Sequence, residues 1–348
     1  MNSKERVLCA LNHIQPDRAP TDYQAVDEVT AELLKHFKTD DYETMLRNLQ
    51  IDCRWVSPMY TGSEAESSDD GSFIGWGGSR SRNVTNKYGA YTEIVKFILD
   101  DIETIKDIDN LLKLPDLNDY DFSAVTRECE KSGDYFIMSG MASTFYYPTL
   151  VRSMEDIFID MALEPELAHH LFRKITDWHL DYHDRLLDAG KGMIDAMQIA
   201  DDFSTQICPL VSQSMFDEFF LDNIKKFSRL GKSYGAKIFF HCCGSAYKFI
   251  PSLLDAGVEI LDPIQTTTAN MEPEKLKREF GKRLSFHGAA ETQHILPNGT
   301  PQEVMDNARD LVKVLGKDGG YILSSCHYLQ ADVPVRNILA LYDINNRT

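Results

Sequence analysis

Residues 236–265, AKIFFHCCGSAYKFIPSLLDAGVEILDPIQ, contain two short apolar segments on either side of a helical one. The pattern predicts strands over 236–244 and 258–265, and a helix over 246–256 that ends at Gly257. A strand, a helix and a second strand in this order are typical of a βαβ unit, whose strands lie parallel. The segment therefore predicts an α/β protein with a parallel sheet.

The same alternation continues on both sides of this segment. Further short apolar segments are typical of strands over 135–140, 193–202, 283–290 and 321–327. At least six βα units follow residue 134, and no Gly-x-Gly-x-x-Gly motif follows any of these strands. A closed (β/α)8 TIM barrel is therefore favoured over an open dinucleotide-binding sheet.

The first 130 residues have a different pattern. Helical spacing covers 3–14 and 22–37, and short alternating stretches over 51–100 are typical of a hairpin or small sheet. We expect one domain over residues 1–348. In it, residues 1–130 form an N-terminal helical and small β extension that caps the barrel, and residues 131–348 form the main barrel.

Composition and charge exclude several classes of function. The 348 residues include 36 Lys and Arg against 54 Asp and Glu, a formal net charge of −18, which argues against binding to nucleic acid or anionic membranes. No apolar run reaches the roughly 18 residues that span a bilayer, and the start MNSKERVLCALNHIQPDR lacks the apolar core of a signal peptide. Seven cysteines, an odd number, favour a reducing compartment, so we expect a cytoplasmic protein.

Polar and metal-binding residue types follow five consecutive predicted strands. Because the carboxyl ends of barrel strands converge on one mouth, this placement predicts an active site there. The residues at these ends are Asp201, Asp202, His241, Cys242, Cys243, Asp262, Gln265, His287, Cys326 and His327.

The sharpest of these features is the run from His241 to Gly244. In an extended segment His241 and Cys243 point to one side and Cys242 to the other, and imidazole beside thiolate suits Zn²⁺. Cys326 or His327 would supply a third ligand, which leaves one coordination position open, as in catalytic zinc sites. The alternative, about equally favoured by these residues alone, is a buried strand end with no metal.

The other candidates also have two interpretations. Asp201 and Asp202 suit a general base or a cation partner, but two acids at this point also cap the next helix. Arg18 suits a substrate carboxylate or a salt bridge, and His287 lines a pocket or binds a loop carbonyl. The predicted substrate-binding residues are Arg18, Asp201, Gln265 and His287, and the predicted catalytic residues are Asp202 and His241.

Several segments of the chain resemble the uroporphyrinogen decarboxylase and cobalamin-dependent methyltransferase superfamily. They are PDRAP near the start, LEPELAHHLFRKITDWHLDY, IADDFSTQ, FFHCCGSAYKFIPSLLDAGVEILDPIQ, FHGAAETQHILPNGTPQEV and GGYILSSCHYLQADVPVRNILALYD. The resemblance covers most of the chain in the same order and implies a (β/α)8 barrel with an N-terminal extension.

The resemblance implies one of two activities. Decarboxylases of this superfamily carry a Met-Arg-Gln-Ala-Gly-Arg-like segment that grips substrate carboxylates, whereas this chain has DRAPTDYQAVDEVT, with Arg18 alone and acids after it. Methyltransferases of the superfamily hold zinc by a His-x-Cys pair and a later Cys, which match His241, Cys243 and Cys326. An ungapped alignment to the thiol-methylating members places His327 at the last of these positions.

The resemblance therefore favours zinc-dependent methyl transfer. The methyl group would pass between a small methylated substrate, or a thiol or folate-type acceptor, and a corrinoid cofactor (methylcobalamin) on a partner protein. Gln265 or Asp262 would be a weak fourth contact to zinc. The alternatives are a decarboxylase-like carboxy-lyase acting on a smaller acid and a non-catalytic binding protein, and the chain is a monomer or a homodimer.

Overall fold

The structure is a computed structural model that describes residues 1–63, 67–86 and 89–343. The α-helices are α1 Ser3–Leu11, α2 Asp27–Phe37, α3 Tyr42–Asn48, α4 Ile105–Leu111, α5 Ser123–Lys131, α6 Met154–Leu163, α7 Pro165–Ala189, α8 Gln213–Phe219, α9 Leu221–Ser233, α10 Ile250–Asp255, α11 Pro273–Phe280, α12 Ile295–Asn298, α13 Pro301–Leu315 and α14 Val335–Tyr342. The strands are β1 Cys53–Val56, β2 Met59–Tyr60, β3 Ser72–Ile74, β4 Arg80–Asn86, β5 Gly89–Lys96, β6 Tyr120–Asp121, β7 Phe136–Ala142, β8 Ala196–Ala200, β9 Lys237–His241, β10 Ile260–Asp262, β11 Ser285–Ala290 and β12 Tyr321–Ser325.

Within the described ranges, seven strands form one curled parallel sheet in the order β1-β7-β8-β9-β10-β11-β12. All six strands predicted after residue 134 belong to it, with helices between them, so the α/β class and the parallel sheet are confirmed. The register aligns Ala200 with His241 and His241 with Asp262, which brings three strand ends to one edge. This edge carries the candidate site.

Strand β1 corrects the boundary that we expected near residue 130. We placed Cys53–Val56 in the extension, but it pairs with Phe136–Ser139 of β7 and belongs to the main sheet. The strand is only four residues long and precedes the antiparallel strands β3 to β5. Its sequence shows the same short alternation of apolar and polar residues as theirs. Its partner follows about eighty residues later, beyond the reach of a local pattern.

Residues 20–26 lie extended between the two edges of the main sheet. The Asp22 amide donates to Leu323 O of β12 at 3.0 Å, and the Asp52 amide, next to β1, donates to Thr21 O at 2.9 Å. These bonds hold the backbone out of a helix, so the helix that we predicted over 22–37 begins only at Asp27.

The small antiparallel sheet β3-β4-β5 lies within residues 51–100, where the sequence predicts a hairpin or small sheet. A separate cluster of buried apolar residues follows this sheet in the chain and includes residues of α4 and α7. The cluster consists of Leu99, Ile102, Ile108, Leu112, Val151, Leu167, Leu171 and Ile175.

One face of the main sheet changes from apolar to polar toward the carboxyl ends. Its apolar part packs against Val7 and Leu11 of α1 and consists of Cys53, Phe136, Met138, Ala196, Phe239, Ile260 and Ile322. Because residues two apart share a face, His241 follows Phe239 on this face, and Asp262 follows Ile260. The apolar packing below therefore fixes where these polar side chains project.

No helix among the described residues is both long and apolar enough to cross a bilayer.

Candidate metal centre

His241, Cys243 and His327 form the candidate metal centre. One ligand atom from each lies within 4.8 Å of the other two, and His241 Nε2 is 3.5 Å from Cys243 Sγ. His241 ends β9, and His327 follows β12 by two residues. The alternation predicted for the run is confirmed, because Cys242 points into the apolar core and is 1% exposed.

Asp262 orients the His241 ring. Nδ1 of His241 donates to Asp262 Oδ2 at 2.6 Å, so the lone pair of Nε2 faces Cys243 and His327. Burial lowers the pKa of His241, but the hydrogen bond and the negative charge of Asp262 outweigh burial and leave the pKa raised. A carboxylate behind a histidine ligand is the usual second layer of a zinc site.

The Asp262 carboxylate belongs to a buried chain of polar groups. Its Oδ1 accepts from His287 Nδ1 at 2.6 Å, and His287 Nε2 is 3.1 Å from Asp22 Oδ2. Trp55 Nε1 donates to the same Asp22 oxygen at 3.1 Å. Burial lowers the pKa of His287, but the two carboxylates outweigh it and raise the pKa to about 9. The ring is therefore a cation that joins two acids.

The loop after β9 is fixed by two hydrogen bonds from its backbone amides to side chains of other loops. The Cys243 amide donates to Asp202 Oδ1 at 2.8 Å, and the Gly244 amide donates to Gln265 Oε1 at 2.7 Å. Gly244 has φ +82°, and a Cβ there would lie 2.5 Å from Thr205 O, so glycine alone fits. These contacts hold the Cys243 side chain at the carboxyl edge of the sheet.

The spacing of His241 Nε2 and Cys243 Sγ fits zinc. With Zn–N near 2.0 Å and Zn–S near 2.3 Å, a tetrahedral ion separates neighbouring N and S ligands by roughly 3.5 Å. The Nε2–Sγ distance of 3.5 Å agrees, and it also suits an S–H···N hydrogen bond in the metal-free protein. Burial first, and the charge of Asp202 second, raise the pKa of Cys243 well above its usual range. Its thiolate therefore needs a cation beside it.

A cavity of about 300 Å³ adjoins this centre. It is lined by Gln24, Met141, Tyr146, Gln198, Ala200, Asp201, Asp202, His241, His327 and Tyr328. Met141 has φ +130° where the β7–β8 register shifts between Gly140 and Ala142, so a bulge re-aims this side chain at the cavity. Asp202 Oδ1 lies 4.0 Å from His241 Nε2, which places the two predicted catalytic residues side by side.

Cys326 lies outside the group of candidate ligands. Its buried Sγ is 3.1 Å from Thr292 Oγ1, and Cys326 does not belong to the group of ligand atoms that His327 joins. The Ser325 hydroxyl donates to His327 O at 2.6 Å and supports the turn that presents His327. Of the two alternatives for the third ligand, the structure brings His327 to His241 and Cys243.

Arg18 does not reach the candidate site. Its guanidinium donates to both oxygens of buried Asp52, at 2.7 and 2.9 Å, next to the amino end of β1. The structure thus corrects its assignment as a substrate-binding residue, because Asp52 requires a cationic partner inside the protein. The salt bridge, our alternative for Arg18, is the arrangement found.

The other three predicted substrate-binding residues act as supports. His287 is 1% exposed and does not line the cavity. Asp201 accepts hydrogen bonds from the Ser143 hydroxyl and from the amides of residues 144–146, so it caps a loop although it borders the cavity. Gln265 holds Gly244, and Asp262, the other predicted weak zinc contact, spends both oxygens on histidines.

Sequence reasoning missed Asp22, Trp55 and Tyr328. Asp22 follows the two prolines of the PDRAP segment, which favour an extended backbone. The structure shows this extended backbone, whereas the helical spacing predicts that Asp22 begins a helix. Trp55 lies on the strand that we placed in the extension. Tyr328 directly follows His327 and lines the cavity.

Comparison with known proteins matches a uroporphyrinogen decarboxylase (URO-D) family model to residues 83–347. The chain belongs to this family. A uroporphyrinogen decarboxylase from Chlorobaculum parvum is 25% identical over 195 residues, which cover 53% of this chain and 50% of the relative. A methylated-thiol–coenzyme M methyltransferase from Methanosarcina mazei is 24% identical over 151 residues, 43% of this chain and 37% of the relative.

The matched region thus spans half or less of the length of both curated relatives. A solved structure of a methyltransferase from Methanosarcina mazei superposes with a TM-score of 0.68 at 17% identity. The superposition covers 99% of this chain and 98% of that one, which shows a shared fold.

Proposed function

We propose that this protein is a zinc-dependent methyltransferase. The methyl group passes between a small methylated compound, or a thiol or folate-type acceptor, and the cobalt of a corrinoid on a partner protein. The observation that carries the proposal is the convergence of His241, Cys243 and His327 within 4.8 Å beside a cavity of about 300 Å³.

The chemistry of the donor set supports zinc. Two imidazoles and one thiolate leave a fourth position open on a tetrahedral ion, and zinc there would lower the pKa of a thiol or polarise a methylated group. Asp262 holds the His241 ring in position, and Asp202 fixes the Cys243 backbone while its side chain lines the cavity. The residues thus orient a ligand next to the open position.

The cavity opposes tetrapyrrole decarboxylation. A porphyrinogen carries eight carboxylates, yet none of the described lining residues is lysine or arginine, and Arg18 is engaged by Asp52. The named methyltransferase relatives favour the methyl-transfer branch. The corrinoid carrier rests on the resemblance of the FFHCCG segment to that branch.

We infer further that residues 20–26 take the place of an eighth strand. Their hydrogen bonds to β12 and to Asp52, on opposite edges of the seven-stranded sheet, support a (β/α)8 barrel. In such a barrel the candidate centre lies at the carboxyl-end mouth.

Metal analysis tests the zinc site. We expect about one zinc per chain in protein purified without chelator, and loss of this zinc in the His241→Ala, Cys243→Ser double variant. Cys208→Ser, which replaces an exposed thiol outside the candidate centre, is the matched control and should keep its zinc. Zinc content in the double variant equal to that of the wild type would exclude this metal centre.

Asp262→Asn provides a graded version of the same test. The amide holds the His241 ring less well, so zinc affinity measured by chelator competition should fall about 10- to 100-fold.

Methyl transfer is tested with the wild-type protein by following the cobalt absorbance of methylcobalamin with a panel of thiol acceptors. Loss of the methyl–cobalt spectrum is expected, and no change across the panel with zinc-loaded protein would favour a binding protein.

A further inference from the structure

The cavity beside the candidate metal centre has an unusual charge balance. None of its described lining residues is lysine or arginine, whereas Asp202 lines it with its side chain 55% exposed. Only Oδ1 of this carboxylate accepts a hydrogen bond from a described residue, the Cys243 amide. A negative group therefore faces the cavity with no lysine or arginine among the described lining residues to balance it.

The bound metal would not supply the missing positive charge. Two charges of a zinc ion are met by the Cys243 thiolate and by the Asp262 carboxylate behind His241. The remaining buried pair, His287 and Asp22, carries opposite charges that cancel each other. The charge of Asp202 is therefore left for a ligand in the cavity.

The lining of the cavity also includes aromatic and polarizable side chains. Tyr146 and Tyr328 line the cavity, and both are exposed large side chains. Met141 joins them through the bulge in β7. Aromatic faces attract cations whose charge is spread over methyl groups, and a thioether packs well against such methyl groups.

We propose that this cavity binds a small methylated onium cation, such as a quaternary methylammonium or a methylsulfonium, in preference to neutral or anionic compounds. The identity of this ligand as a methyl substrate rests on the function proposed above. The binding preference itself rests on Asp202, Tyr146, Tyr328 and Met141, and adds no chemical step.

The test compares two ligands of the same shape. Choline and 3,3-dimethylbutan-1-ol differ in that a trimethylammonium group replaces a tert-butyl group. With the full-length zinc-loaded protein, calorimetry should show choline binding at least about 10-fold more tightly than the alcohol. Equal binding of the two, or no binding of choline at millimolar concentration, would overturn the proposal.

Two variants locate the preference. In Asp202→Asn the amide oxygen still accepts the Cys243 amide while the charge is lost, so the preference should fall below about 3-fold. Tyr328→Leu should weaken choline several-fold and leave the alcohol unchanged. Asp255→Asn removes an exposed charge at the end of α10, away from the cavity, and should keep the full preference.

Unchanged choline preference in both Asp202→Asn and Tyr328→Leu would contradict the assignment of the site. The zinc content of each sample is measured in parallel. Loss of the onium preference with zinc present overturns this inference alone, whereas absence of zinc with the preference retained overturns only the metal centre.

Discussion

Two of the buried clusters of charged residues in the described part of the chain differ in the cation that pairs with the buried aspartate. In the arginine cluster, next to the amino end of β1, Asp52 accepts hydrogen bonds from Arg6 at 2.8 Å and from Arg18 at 2.7 Å. In the histidine cluster, Asp262 accepts from His241 and His287, each at 2.6 Å. Guanidinium has no lone pair to offer, but His241 keeps Nε2 toward Cys243 and His327. The arginine cluster can therefore only stabilise, whereas the histidine cluster can also hold a ligand.

The largest effect is expected from breaking the arginine cluster. Asp52 is 0% exposed, and Asp52→Ala leaves two guanidinium groups without their buried partner. The free energy of unfolding, measured by urea denaturation, should fall by about 3–5 kcal/mol. Zinc content of the folded variant should stay at the wild-type value, because Asp52 does not contact the candidate centre.

Asp17→Ala is the matched control within the same cluster. Asp17 also pairs with Arg6, at 2.7 Å, but its side chain is 43% exposed, so its loss should cost less than about 1 kcal/mol. Equal destabilisation by both variants would contradict the structural role assigned to the buried partner.

The histidine cluster should differ from the arginine cluster in its response to pH. The unfolded chain loses the imidazole proton of His287 near its ordinary pKa of 6.5, whereas the folded protein holds this proton until about 9. Its stabilising contribution is therefore complete below pH 6.5 and is lost as the pH rises toward 9. The loss is on the order of 3 kcal/mol, measured by urea denaturation at each pH.

His287→Gln removes this titrating group and should flatten the stability curve between pH 6.5 and 9. Asp52→Asn should lower the whole curve without changing its slope, because guanidinium stays protonated throughout this range. If His287→Gln keeps the wild-type slope, the His287 ring is not the cation that joins Asp22 and Asp262.

Local sequence patterns predicted the sheet well where each strand carries its own apolar signal. The strands from β7 to β12 are apolar segments that alternate with helices, and each was found at its predicted place. β1 and residues 20–26 were misassigned because their partners lie far away in the chain. Thr21 contacts Leu323, and Cys53 pairs with Phe136, so only the folded chain brings these segments together.

The candidate site shows the same limit. Alternation along one strand placed His241 and Cys243 on one side, and the 3.5 Å between Nε2 and Sγ agrees. The role of Asp262 depends on the register of β10 against β9, and that of Asp22 depends on a segment more than two hundred residues before His241. Residue type and strand position indicate candidate ligands, but the groups that orient them are set by tertiary contacts.

The smallest effect is expected at Cys326, where the family resemblance and the geometry differ. The resemblance matches Cys326 to a zinc ligand, whereas its thiol lies 3.1 Å from Thr292 Oγ1, outside the ligand group. Cys326→Ser keeps a hydroxyl for Thr292, so zinc content should not change and stability should shift by less than about 1 kcal/mol. His327→Ala removes a ligand and should lower zinc occupancy in metal analysis. The reverse result, with zinc lost in Cys326→Ser and kept in His327→Ala, would show that β12 turns its other side to the metal. The metal ion would then be held by two thiolates and one imidazole. The net charge of the ion together with its three protein ligands would be lower by one unit.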